Sequence, residues 1–202
     1  MNRLIHLGLA AWVGSLAGCV STTPVRYHTL LAPAAQATAA GEPVGFLIDV
    51  LPVGIPASLD QPQLVVRKGR GEVALLEGER WAGTMADEVR DALSVELAHR
   101  LATQDIAGLV QLSGGPVLRI KLQVRRLDVW PGQRIQFEAD WILGFANEAG
   151  NARLVCSGRF DEPAPGGYSE LVQSQQRAVA SLAARIAAEA RAWARLRRAD
   201  CS

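Results

Sequence analysis

The sequence predicts one α/β domain, a mixed and mostly antiparallel sheet carrying two main amphipathic helices. Three patterns point there. Met85, Val89, Leu93, Leu97 and Leu101 recur every four residues, which puts them on one face of a helix. Ile135, Phe137, Ala139, Trp141, Leu143 and Phe145 alternate with other residues, as a half-buried strand requires. A long alanine-rich stretch after Ser169 aligns Leu171, Val179, Leu182, Ile186 and Trp193 on the inner face of a second helix. Each helix needs an apolar surface to cover, and the greasy side of a meander supplies one.

In chain order, Val25 to Leu31 reads as a strand, and the Ala, Gln, Thr and Gly between Pro33 and Pro43 as a mobile loop. Phe46 to Val53 is apolar almost throughout and rich in branched residues, which fits a strand buried on both faces and interrupted by Asp49. Pro52, Pro56 and Pro62 then fix a rigid extended segment with Ser58 and Asp60. Gln63 to Arg67 and Glu72 to Leu76 flank Lys68-Gly69-Arg70-Gly71, a hairpin loop. Thr84 and Asp87 form an N-terminal cap for the first helix. Its polar face carries Asp87, Glu88, Asp91, Glu96 and Arg100, with Glu96 and Arg100 spaced for an ion pair.

Leu118, Ile120, Leu122 and Val124 alternate with Arg119, Lys121, Gln123 and Arg125, and the phase breaks at Arg125-Arg126, which predicts a bulge. Trp130-Pro131-Gly132 turns the chain into the cleanest alternation, and Asn147 to Asn151 turns it again. Leu154, Cys156 and Phe160 then point inward, with Arg153, Ser157 and Arg159 outward. Opposite charges on the wet side, Arg119, Lys121 and Arg125 against Glu138 and Asp140, suit cross-strand pairing. Pro163 to Gly167 is a loop, after which Ser169 is the expected cap of the last helix.

The N-terminus has a separate logic. Arg3 precedes the apolar run Leu4 to Leu16, which has the length of a signal-peptide core and is too short to span a bilayer. Leu16-Ala17-Gly18-Cys19 closes it as a lipobox: the thiol of Cys19 takes a diacylglycerol group, cleavage before it needs small residues, and the freed amine is acylated in turn. Two or three chains on one residue make attachment effectively permanent, at about 0.8 kcal/mol per buried CH2. The expected organisation is therefore a signal peptide at 1–18, a lipidated tether at 19–24 and one domain at 25–202. From Cys19 to Val25 the tether spans at most about 20 Å, at roughly 3.3 Å per residue, so the domain stays beside its membrane.

The chain carries 21 basic and 20 acidic residues, and loss of residues 1–18 removes only Arg3, leaving a balanced domain. That balance argues against nucleic acid as a partner. With Cys19 acylated, Cys156 and Cys201 remain in an oxidising compartment. Cys156 at an inward strand position and Cys201 at the penultimate position favour one buried and one frayed thiol over a disulfide, although Cys201 could fold back over the sheet.

Catalytic patterns are missing from the sequence. His28 and His99 are the histidines left after processing, and no H-x-x-x-H or C-x-x-C accompanies them. His99 reads as a solvated helix residue. Gly69-Arg70-Gly71 lacks the strand-to-helix setting of a phosphate loop, and neither Ser113 nor Ser169 sits in a nucleophile elbow. No enzyme, cofactor or metal is expected. Arg191, Arg195, Arg197 and Arg198 at the end of the last helix complement its macrodipole, with contact to anionic lipid or an acidic partner as the alternative. Trp81 reads as a core anchor, or as a contact if it is exposed beside the proline-rich segment.

The block Ile48-Asp49-Val50-Leu51-Pro52-Val53, continued by Ile55-Pro56, Leu59-Asp60 and Pro62-Gln63-Leu64-Val65, then Arg80-Trp81-Ala82 before a helix, resembles the PqiC/YmbA family of ABC-type transport auxiliary lipoproteins. Tyr27-His28-Thr29-Leu30 resembles that family's opening, and the lipobox stands at its expected distance. Gln61 replaces an expected basic residue, and Ala57-Ser58 a common aromatic. The resemblance implies a fold similar to the TolB N-terminal domain and a lipoprotein of the outer membrane's periplasmic face. It further implies work with an MCE-domain periplasmic protein and its inner-membrane permease in phospholipid transport. Val20 after Cys19 is not the aspartate of inner-membrane retention. Pro56, Leu59, Asp60, Pro62 and Trp81 are the residues it offers for partner binding. A homo-oligomer is open, as are two other roles: a carrier that itself holds phospholipid between sheet and helices, and a structural or regulatory lipoprotein of another envelope machine.

Overall fold

The computed structural model describes residues 24–33, 41–109, 115–146, 148, 152–197 and 201. The expectations for the signal peptide, for Cys19 and for Ser113 and Arg198 lie outside them, as do residues 34–40 of the Pro33–Pro43 loop and most of the Asn147–Asn151 turn. The element order is β1 (Arg26–His28), β2 (Leu47–Val50), β3 (Gln63–Arg67), β4 (Val73–Trp81), α1 (Met85–Leu101), β5 (Val117–Trp130), β6 (Arg134–Phe145), β7 (Leu154–Pro163) and α2 (Tyr168–Leu196).

The strands form two sheets where the sequence suggested one. A four-stranded sheet runs β2-β5-β6-β7, with β2 parallel to β5 and the rest antiparallel. A three-stranded sheet runs β1-β4-β3, with β1 parallel to β4. Proline chemistry accounts for the split. Chain 51–54 follows β5 beyond β2, Leu51 and Gly54 donating to the carbonyls of Ile120 and Leu122, and Val124 donating to that of Gly54. Pro56 has no N–H to continue this ladder. The far half of β5 therefore meets β3 through side chains, with Arg67 2.7 Å from Asp128.

The expected bulge is present, the β5–β6 register slipping between Val124 and Arg126. Gly132 at φ 73° with Pro131 before it makes the β5–β6 turn, closed by Gln133 N–H to the Trp130 carbonyl at 3.1 Å. Thr84 caps α1 by accepting from Asp87 N–H at 3.2 Å. Ser169 does not cap α2, which starts at Tyr168 with Gly167, two residues before Ser169, as its cap and no side-chain bond. One core cluster crosses both sheets, from Leu64, Val66, Trp81 and Met85 to Ile120, Trp141, Leu143, Leu182, Ile186 and Trp193.

Two side chains overturn the sequence reading. Glu88, assigned to the solvated face of α1, is buried, and its carboxylate accepts from Thr29 Oγ1 at 2.7 Å, Leu30 N–H at 2.8 Å and Gly83 N–H at 3.0 Å. It ties the segment after β1 to the start of α1, which local periodicity cannot foresee. Cys201 is not frayed: it is disulfide-bonded to Cys156, with Cα atoms 5.5 Å apart. Cys201 therefore lies beside β7, within bonding reach of the inward Cys156.

Candidate interaction surfaces

The apolar meander face is core. Ile135, Trp141 and Leu143 have no exposed surface, and neither do Leu182 and Ile186 of α2. An acyl chain held between sheet and helix would have to displace them.

The histidines and the buried acids among the described residues have structural partners. The His28 ring lies 2.6 Å from Glu79, which Arg26 also bonds, so its role is to pin β1 to β4. His99 is half-buried rather than solvated, beside Leu30, Gln176 and Val179. Among the described residues, Cys156, Glu189 and Cys201 form the one group with metal-ligand spacing, and the disulfide occupies both sulfurs. Glu189 is buried with its Oε2 accepting from Trp141 Nε1 at 2.6 Å, and burial pushes its carboxyl above the ordinary range. Its Oε1 accepts no hydrogen bond, and Arg185 approaches to 3.5 Å.

The proline-rich segment divides its candidate residues between structure and surface. Leu59 and Asp60 donate their N–H groups to the Pro56 carbonyl, closing a turn. The Asp60 carboxylate accepts from Ala86 N–H at 3.2 Å, on the first turn of α1. Trp81 is 5% exposed, and its backbone N–H donates to the Pro62 carbonyl at 2.9 Å. Trp81 is thus a core anchor. Pro56 and Leu59 are half-buried and Asp60 and Pro62 exposed, with Asp60 against the start of α1.

The third surface is at the opposite end of the helices. The C-termini of α1 and α2 meet the segment that leads into β2: Gly41 and Val44 donate to the carbonyls of His99 and Leu101. Arg191 Nη2 donates to the carbonyls of Glu42 and Arg100 at 2.6 and 2.9 Å. Arg197 bonds Glu148 at 2.5 Å, caps the carbonyls of Trp193 and Ala194, and lies over the Phe145 ring at 4.2 Å. Sequence reasoning identified these cations as helix-dipole partners. It missed that Arg191 serves the other helix's end, because nothing local links 191 to 100.

The chain matches a family model described as the ABC-type transport auxiliary lipoprotein component, over residues 28–187. It belongs to that family. The match spans every element from the end of β1 into α2. None of the curated proteins matches the chain. Among solved structures, an uncharacterised protein superposes with a TM-score of 0.63 at 17% identity, covering 83% of this chain and 99% of that one. A Xanthomonas campestris protein superposes at 0.55 and 12% identity, covering 82% and 91%. At such identities the likeness establishes the α/β fold. As a transport auxiliary lipoprotein, the chain is expected to act beside a membrane, and no helix among its described residues is long and apolar enough to cross one.

Proposed function

We propose that this protein is a non-catalytic docking subunit, anchored by acylated Cys19 to the periplasmic face of the outer membrane, in an MCE-type phospholipid transport system. Membership in the transport auxiliary lipoprotein family is the observation that carries this reading. The short tether supports it. A domain within about 20 Å of its anchor cannot cross the periplasm, so a long partner must come to it. The packed meander face favours contact over carriage of lipid, because its apolar residues are already covered. On this reading Leu59, Asp60 and Pro62 form part of the contact rim, around the buried Trp81.

Two experiments test the proposal. Isolation of the tagged full chain from detergent-solubilised membranes should recover an MCE-domain protein and its permease, and recovery of neither overturns it. Cys19→Ser should release the protein from membranes as a soluble form, and retention in the membrane fraction would refute the anchor.

A further inference from the structure

The domain has two poles. α2 is 29 residues long, about 43 Å at 1.5 Å per residue. Its first turn lies beside Arg26 of β1, across a cleft lined by Gly166 to Glu170. β1 is where the chain arrives from its N-terminal tether, so this is the anchored pole. The other end of α2, with the end of α1, is the far pole, where four arginines gather.

Their charges are unequally compensated. Arg100 is 3.0 Å from Glu96, and Arg197 is bonded by Glu148. Arg191 bonds only carbonyls, which fix its guanidinium but leave its charge uncancelled. Arg195, exposed and one turn on, makes no side-chain hydrogen bond or ion pair among the described residues. Like charges at i,i+4 repel, and the helix ends are already served by Arg191 and Arg197. Arg191 and Arg195 together line two adjoining clefts, whose remaining acid is Glu42 at the rim. The first, about 340 Å³, has Phe46 and the exposed Pro116 in its wall, with Arg197 lying over the Phe145 ring beside them. Fixed and free guanidinium donors beside apolar wall residues match a carboxylate flanked by an aliphatic residue.

We infer that this far pole is the docking site for an acidic, aliphatic segment of a protein partner, read by Arg195 and Arg191. This rests on the docking role proposed above and names the surface and its chemistry. The position favours a protein over lipid: the cleft stands a helix-length away from the end that the tether holds at the bilayer. Arg195 is the contact that can be removed without cost to the fold, because it holds nothing else in place.

The test uses the full chain in detergent micelles and a fluorescent peptide of alternating glutamate and leucine, with its glutamine counterpart and dihexanoyl phosphatidylglycerol as comparison probes. The acidic peptide should bind, weaken as salt rises, and lose about tenfold in affinity with Arg195→Ala, while Arg70→Ala on the distant β3–β4 loop leaves it unchanged. Equal binding of the glutamine peptide, or equal affinity of the two variants, overturns the inference. So does an Arg195-dependent response to phosphatidylglycerol alone, which would assign the cleft to lipid phosphate. The same variant separates this inference from the reading beneath it. Recovery of the MCE protein by wild type and reduced recovery by Arg195→Ala supports both, equal recovery by the two refutes the cleft alone, and recovery by neither refutes the docking role itself.

Discussion

The two sheets are held by different physics. In the four-stranded sheet the inward residues Ile120, Leu122, Ile135, Trp141 and Leu143 are fully buried, and the strands run 10 to 14 residues through β5, β6 and β7. Apolar burial at about 25 cal/mol per Å² dominates there. The three-stranded sheet has a three-residue edge strand, and much of its attachment runs through buried carboxylates. Glu79 receives Arg26 and His28, Glu88 receives the backbone after β1, and Asp128 on the neighbouring β5 receives Arg67. The strand nearest the tether is therefore attached through a carboxylate, Glu79, whose ionisation matters, whereas apolar burial dominates the four-stranded sheet, with Glu189 against Trp141 as a titrating group inside it.

Several substitutions would sharpen or break that contrast. The largest loss is expected for Leu143→Ala, about 3 kcal/mol in chemical denaturation with little dependence on pH, because it empties a fully buried site without touching a charge. Cys201→Ser opens a bridge spanning 45 residues and should cost about 2 kcal/mol, with no further loss on adding a dithiol. A thermal scan of the wild type that is indifferent to dithiol would contradict it.

Glu79→Gln should produce a smaller fall in Tm at pH 7 and a change in acid response. Arg26, then His28, hold the Glu79 carboxyl below its ordinary range against the opposing effect of burial. A lowered folded pKa gives stability that is present above the ordinary carboxylate value of about 4.3 and is lost as pH falls through the folded value. The variant should lack that acid-range loss, and hydrogen exchange should show earlier opening of β1 than of β6. Equal protection of the two strands would remove the proposed contrast.

Glu189→Gln is the smallest effect and has the opposite sign. Burial raises the folded pKa of Glu189, so its contribution is present below the ordinary carboxylate range and lost as pH rises through the raised value. Glutamine keeps an acceptor for Trp141 Nε1 and carries no charge, so the variant should melt slightly higher than wild type at pH 8 and differ least near pH 4. A lower Tm at pH 8 would mean that the Arg185 contact outweighs burial.

Local pattern was enough for much of the fold. The four-residue stripe of α1, the alternation of β6, the slip at Arg126 and the turn at Pro131-Gly132 are all nearest-neighbour chemistry, and each occurs where the residues place it. The candidate surfaces were less legible. Glu79 shares its parity on β4 with the exposed Val73, Leu75 and Glu77 and is buried because the strand changes its inward side where the β3 register shifts between Gln63 and Leu64; its partners come from a strand some fifty residues away. Glu88 has a neighbour relation to solvent on a helical wheel, and only the return of residues 29–30 across α1 buries it.

By itself the sequence determined the main helices and strands and most of their inward faces, because each depends on residues within a few positions of one another. Tertiary structure decided the division into two sheets, the Cys156–Cys201 bridge, the burial of Glu88 and the meeting of Arg191 with the end of α1. These depend on which distant segments come within hydrogen-bonding or bonding reach. Spacing along the chain does not encode that reach; it follows from how the two helices and the proline-broken strand pack on one core.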